Sequence, residues 1–195
     1  RYSLTYQPLN LGAFYVKGLV LLKQKIIPEK AFKNNVYLFF VFGPQITEIH
    51  SQAFSKCQNL RKFFSQKCEK ISNSAFSKCS SLSEIDLTKI IALGLNAFFQ
   101  CNGLVNICFN LLENVPEYCF FDCMGLKQIV GQNLRSVAEH AFQGNVHSVN
   151  VVSNHQLPIN KQYTQSKLIR FQEILIDEFT ERNNLLKKLK TSQCR

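Results

Sequence analysis

Eight cysteines and four histidines are the side chains in this sequence best suited to chemistry, so their spacing comes first. A structural metal site draws its ligands from pairs close in sequence, commonly two Cys-x-x-Cys or Cys/His knuckles. Cys119-x-x-x-Cys123 comes nearest, and nothing in the chain completes it. Cys57, Cys79, Cys101 and Cys123 instead recur every 22 residues. Thiols at one fixed phase read as a column of small buried side chains, since free cysteine behaves as a small hydrophobe. His50, His140, His147 and His155 have no phase partner, and no Ser-His-Asp or paired-carboxylate arrangement can be built on them. Glu84 and Asp86 lie two residues apart on one side of a strand, where a solvated face explains them better than an acid pair. The eight glycines never cluster, so there is no phosphate-cradling loop. The expectation is a chain with no catalytic residues, no cofactor and no metal.

The elements that hold these residues follow from the same period. Ala-Phe pairs stand at Ala31-Phe32, Ala53-Phe54, Ala75-Phe76, Ala97-Phe98 and Ala141-Phe142, with Cys119-Phe120 filling the one gap. Seven residues after the Ala come Leu38, Leu60, Leu82, Leu104 and Leu126. Ten after come Val41, Phe63, Ile85, Ile107, Ile129 and Val151. Fifteen after come Ile46, Cys68, Ile90, Leu112 and Leu134, and four before stand Ile27, Ile49, Ile71, Leu93, Val115 and Val137. Ile85 and Leu87 alternate as on a half-buried strand, whereas Ile90, Leu93, Ala97 and Phe98 are spaced by threes and fours, which suggests a turn and a short helical or 3₁₀ segment. Twenty-two residues cannot enclose a core alone, but stacked copies can bury each apolar rim against the next. The architecture expected is therefore a leucine-rich-repeat solenoid of α/β type. Parallel strands would line its concave face, and short helical or irregular segments its convex face. Phe54, Phe76, Phe98, Phe120 and Phe142 should be buried neighbours in one column.

The recurrent Ile-x-x-x-Ala-Phe-x-x-Cys-x-x-Leu-x-x-Ile, clearest from Ile49 to Phe63 and from Ile71 to Ile85, resembles the BspA-like leucine-rich repeats of bacterial and protist surface proteins. Leu93 to Ile107 and Val115 to Ile129 keep it with a substitution or two, and the resemblance covers about residues 27–152. It implies a leucine-rich-repeat fold, no catalysis and a cell-surface or adhesive role. The chain departs from the family in stepping by 22 residues where 23 is common, and in reading Asp86-Leu87-Thr88 where Leu-Pro usually follows the strand.

Outward strand positions are where such a fold meets a partner. They give a candidate concave binding face of Phe40, Phe42, Lys62, Phe64, Glu84, Asp86, Asn106, Cys108, Gln128, Val130 and Asn150. The phenylalanines near the first strands are more apolar than solvent requires, which marks either a partner site or a surface covered by the first 30 residues. A protein is the first candidate partner. A glycan is the second, because the later columns are rich in Asn and Gln.

Charge argues against nucleic acid. The net charge of +10 is concentrated at the two ends rather than in a stripe: residues 1–30 hold five basic and one acidic side chain, and residues 161–195 hold eight and four. The longest apolar run, Val36 to Phe42, is far shorter than the ~20 residues that span a bilayer, so no membrane insertion is expected. The domain reading is 1–30 as a degenerate N-terminal repeat or cap, 31–152 as repeats, 153–165 as a linker and 166–195 as an amphipathic C-terminal helix. That helix rests on Leu168, Phe171, Leu175, Phe179, Leu186 and Leu189 and suggests a rival function, an intracellular scaffold recruiting its partner through the helix. Localisation is drawn two ways. The family resemblance points to the cell surface, while unpaired cysteines and a start at Arg1 without a leader point to the cytoplasm.

Overall fold

A computed structural model describes residues 18–158 and 160–166, together with the backbone of 9–11 and 14–16. Strands numbered in chain order account for its regular structure. β1 (Leu9–Leu11) and β2 (Phe14–Val16) form an antiparallel hairpin. Each following coil contributes one longer strand and one two-residue strand. The longer ones are β3 (Gly18–Val20), β5 (Phe40–Phe42), β7 (Lys62–Phe64), β9 (Glu84–Ile85), β11 (Asn106–Phe109), β13 (Gln128–Gly131) and β15 (Val149–Val152). The shorter are β4 (Ile26–Ile27), β6 (Glu48–Ile49), β8 (Lys70–Ile71), β10 (Ala92–Leu93), β12 (Asn114–Val115) and β14 (Ser136–Val137). A last strand, β16 (Tyr163–Gln165), pairs with β15, so the end of the segment 153–165 adds to the sheet. From β3 onward every pairing is parallel, and within the repeats each residue faces the one 22 positions away, as Val41 faces Phe63. We count coils from each longer strand, coil 1 starting at Gly18 and coil 6 at Gln128.

The third side of each coil is the Ala-Phe turn, and it overturns the expected α/β class. The fold is a parallel-stranded β-solenoid, and the described residues contain no helix. Spacings of three and four are shared by helices and by tight turns, and here turns prevail because two residues in each of coils 1–5 are left-handed. Lys30 and Asn34, Gln52 and Lys56, Ser74 and Lys78, Asn96 and Gln100, and Tyr118 and Asp122 all have φ between 53° and 63°. Such residues cannot propagate a right-handed helix, and each non-glycine one costs about 1–2 kcal/mol. What holds them is the stack itself. The amides of Phe32, Phe54, Phe76, Phe98 and Phe120 donate not four residues back but to the carbonyls of Ala53, Ala75, Ala97, Cys119 and Ala141 in the next coil, at 2.8–2.9 Å. The expected C-terminal helix at 166–195 lies outside the described residues apart from Ser166, which is in no helix. The described residues therefore form their fold from strands and turns alone.

The phenylalanine column is as expected. Phe54, Phe76, Phe98, Phe120 and Phe142 are buried, and successive rings stack at 5.3–5.9 Å. The cysteine column is buried too, but with a polar task. The Sγ of Cys57, Cys79, Cys101 and Cys123 donates to the carbonyl of Phe32, Phe54, Phe76 and Phe98 in the preceding coil, at 3.0–3.1 Å. Cysteine suits this position because it is small and apolar and still carries a donor for a buried carbonyl.

One irregularity divides the stack. The longer strands form two sheets, β3-β5-β7-β9 and β11-β13-β15-β16, and the shorter ones also form two, β4-β6-β8-β10 and β12-β14. Both faces are interrupted at the same place, between coils 4 and 5. On the shorter face Pro116 stands where Ser72, Gly94 and Ala138 donate an amide to the preceding coil, and proline has no N–H to give. On the longer face the cause is volume. The position after the strand core reads Gly43, Ser65, Leu87, Phe109, Gly131 and Ser153. A Cβ on Gly43 would lie 2.1 Å from Ile46, and one on Gly131 2.4 Å from Leu134, so the chain tucks tightly there. Ser65 and Ser153 then donate to the carbonyls of Ile46 and Leu134 at 2.8 and 2.6 Å. Leu87 and Phe109 cannot tuck in this way; they fill the interior instead, and both are buried. The Ala-Phe ladder and the ring column cross this seam unbroken.

Candidate functional site

The longer-strand sheet presents two outward rows. The first runs Gly18, Phe40, Lys62, Glu84 in coils 1–4 and Asn106, Gln128, Asn150 beyond the seam. The second runs Val20, Phe42, Phe64, then Asp86, then Cys108, Val130, Val152. Gly18 is glycine because Phe40 lies across it: an added Cβ would sit 2.0 Å from that ring. Beside it, Phe42 and Phe64 stack at 5.0 Å with planes 5° apart, and each remains 38% exposed. Their separation nearly equals the ~4.8 Å between paired strands, so the two rings follow one another along the stack and each covers part of one face of the other. Val20, 36% exposed, continues the row.

The charged members of this face are already engaged. Lys62 pairs with Glu84 at 2.8 Å, one coil apart. Asp86 closes a local turn, its Oδ1 accepting from the amide of Thr88 at 3.0 Å and from its hydroxyl at 2.7 Å. The two carboxylates have separate partners and do not act as an acid pair.

Beyond the seam the face changes. Asn106 and Cys108 are exposed, whereas Gln128 and Asn150, expected to face solvent, are only 4% and 5% exposed. Asn150 Nδ2 donates to Gln128 Oε1 at 2.7 Å, and Asn150 Oδ1 accepts from Ser166 at 2.7 Å. Buried amides in a hydrogen-bonded chain are structural groups, for opening them to a ligand would first break those bonds. The sequence could not show this, because the covering contacts come from β16 and Ser166, which lie outside the repeat phase.

Two further surface features escaped the sequence reading. On the Ala-Phe side, Phe99 and Phe121 stack at 5.2 Å, and Tyr118 stacks on His140 at 5.4 Å, with His140 Nδ1 3.3 Å from Glu117. His140 does have a phase partner, Tyr118, 22 residues earlier; comparing residue types across the phase rather than histidines alone would have found it. At the corner between the two strand faces, Ile91 and Leu111 are exposed beside Lys67 and Lys89. Burial keeps the other thiols protonated: it pushes Cys57 up to about 11 and Cys68 and Cys123 to about 12, and raises Cys79, Cys101 and Cys119 well above the ordinary range.

The in-phase turn, thiol and strand positions agree with a known repeat type. Residues 25–178 match the BspA type Leucine rich repeat region in six copies. The chain belongs to this family. Among solved structures, this BspA-type chain is similar to the leucine-rich-repeat protein of T. pallidum, at 22% identity and a TM-score of 0.54 over 69% of this chain and 73% of that one. It is also similar to a leucine-rich cell surface protein of Faecalibacterium prausnitzii, at 24% identity and a TM-score of 0.59. There it covers 80% of its own length and 41% of the other chain. Both likenesses concern the fold. No curated protein matches. Among the described residues, no helix is long and apolar enough to cross a membrane.

Proposed function

We propose that this BspA-type solenoid is a non-catalytic binding module that takes a protein partner on the longer-strand sheet of coils 1–4. The observation that carries the reading is the exposed apolar row Val20, Phe42 and Phe64, flanked by the Lys62–Glu84 pair. An apolar strip with a polar rim is the usual anatomy of an interface centre. Its aromatic members are held by mutual stacking and by their strands, so little side-chain freedom is lost on binding. The choice of protein over glycan rests on ring stacking. A sugar packs its C–H face on an open aromatic face, whereas here Phe42 and Phe64 each cover part of one face of the other. Their remaining apolar surface, continued by Val20, suits aliphatic and aromatic side chains. The surface role of the F. prausnitzii protein agrees with an adhesive use of such a module.

The test is to select peptides from a displayed random library on the immobilised protein and to measure their Kd by titration. Replacing Phe42 and Phe64 by Ser should weaken binding at least tenfold, about 1.4 kcal/mol, the size expected of an aromatic anchor. Peptides whose affinity survives that double change, or binding confined to a glycan array, would count against the reading.

A further inference from the structure

A second surface, separate from the sheet just described, lies along the corner where each longer strand turns into the shorter one. Two cavities of about 450 Å³ each open on this corner. The first is lined by Lys23, Lys25, Ile26 and His50, the second by Lys67, Glu69, Lys89, Ile91 and Leu111. They follow one another along the stack. Lys23, Gln45, Lys67, Lys89 and Leu111 are the same position in successive coils, and Thr47, which lines the second cavity, donates its hydroxyl to the Lys25 carbonyl of the first.

Charge and apolar surface alternate along it. Ile26, Ile91 and Leu111 are 42%, 48% and 46% exposed, which is high for branched aliphatic side chains on three coils of one edge. Among the described residues, none of Lys23, Lys25, Lys67 and Lys89 has a carboxylate at ion-pair distance. The nearby acids are taken elsewhere: Glu48 by Lys70 and His50, Glu113 by Arg135. Lys67 reaches only the neutral Gln45 amide, at 2.7 Å. Among the described residues, Glu69 is the one carboxylate lining either cavity. The charge of these lysines is therefore uncompensated along the corner, unlike that of Lys62 and Lys70, which are paired with Glu84 and Glu48.

We infer that this corner groove binds an acidic segment of another protein that also carries aliphatic side chains. The unpaired ammonium groups would meet its carboxylates, and their methylene stems together with Ile91 and Leu111 would cover its apolar residues. An acidic polysaccharide would satisfy the lysines but leave the aliphatic floor bare, and among the described residues the cavities offer no aromatic ring except His50 on which a sugar could lie.

The probes are two labelled 12-residue peptides, one of Glu and Gly only and one with two of its Gly replaced by Leu, and a heparin oligosaccharide, titrated by fluorescence anisotropy at 50 mM and 150 mM salt. The Leu-containing peptide should bind severalfold more tightly than the Leu-free one. Lys67→Gln with Lys89→Gln should weaken both peptides at least fivefold. Ile91→Ser with Leu111→Ser should remove only the advantage of leucine. Lys56→Gln with Lys78→Gln, on the Ala-Phe side, should leave both unchanged, as should the Phe42/Phe64 change, which separates this groove from the sheet surface. Equal losses from both lysine pairs would reduce the effect to net charge and overturn the proposal. Tighter binding of heparin, indifferent to Ile91 and Leu111, would overturn it in favour of a polysaccharide.

Discussion

Coil 3 and coil 5, on either side of the seam, repeat one consensus and close their interiors differently. In coil 3 an inward strand residue fills the core: Phe63 meets Phe54 and Phe76 edge-on at 5.5 and 5.2 Å, and small Ser65 lets the following turn tuck in. In coil 5 the strand position holds only Ile107, and the filling comes two residues later from Phe109, 6.3 Å from Phe120. Between the coil plugged by Phe63 and the coil plugged by Phe109 both sheets stop. The outer surfaces diverge with the interiors, an exposed aromatic row on one side of the seam and a buried amide chain on the other. The Ala-Phe turn, with its rings, thiols and ladder, continues unchanged from coil 4 to coil 5. One side of the repeat thus carries the stack, and the strand side is left free to vary into surfaces.

The predictions follow from that division. The largest effect belongs to the shared column: Phe98→Ala should cost about 3–5 kcal/mol in urea unfolding and loosen coils on both sides of the seam, because its ring touches Phe76 and Phe120 alike. Phe63→Leu and Phe109→Leu should each cost about 1–2 kcal/mol, with faster amide exchange confined to the half that holds the substituted ring. Loss of protection in both halves from either change would erase the distinction.

Alkali should also act on the shared column. The buried thiols have folded pKa values raised toward 11–12, above the ~8.5 of an unfolded cysteine. Above pH ~8.5 the unfolded chain loses thiol protons that the folded chain keeps. Their stabilising contribution is therefore complete below that pH and is lost as the pH rises through about 12. The urea midpoint should fall steadily from pH 8 to pH 10.5, and less in a Cys79→Ala, Cys101→Ala protein.

The two surfaces supply the smallest effects. Asn150→Ala should cost about 1–2 kcal/mol, since it removes two hydrogen bonds inside the buried amide chain, whereas Lys62→Ala should change stability by less than about 0.5 kcal/mol, its pair with Glu84 being exposed.

Much of this was legible in the sequence. The 22-residue phase placed the phenylalanine and cysteine columns, the parallel register and the family. The Ala-Phe segment is left open between a short helical and an irregular form by the sequence, because Lys56, Lys78 and Gln100 give no sign that their backbone is left-handed; only the stack imposes it. The seam was visible in principle, as Leu87, Phe109 and Pro116 interrupting columns of smaller or amide-bearing residues, but its consequence depends on how tightly Gly43 and Gly131 approach Ile46 and Leu134. Among the candidate surface residues, Phe42 and Phe64 stand exposed together as the alternation required. Gln128 and Asn150 do not, because alternation tells which face a residue takes and not what lies over that face.

The account turns on one continuous turn side joining two separately finished sheets, and native-state amide hydrogen exchange by NMR tests it most directly. The amides of Phe98 and Gln100 donate across the seam at 2.9 and 2.8 Å and should exchange as slowly as those of Phe76 and Lys78. The amides of Val105 and Glu113 have no such bond among the described residues, whereas their counterparts Lys127 and Arg135 donate to the preceding coil at 2.9 and 2.8 Å. Val105 and Glu113 should exchange at least about tenfold faster than Lys127 and Arg135. Equal protection at all four would contradict the seam, and fast exchange at Phe98 and Gln100 would contradict the continuous side that is meant to bridge it.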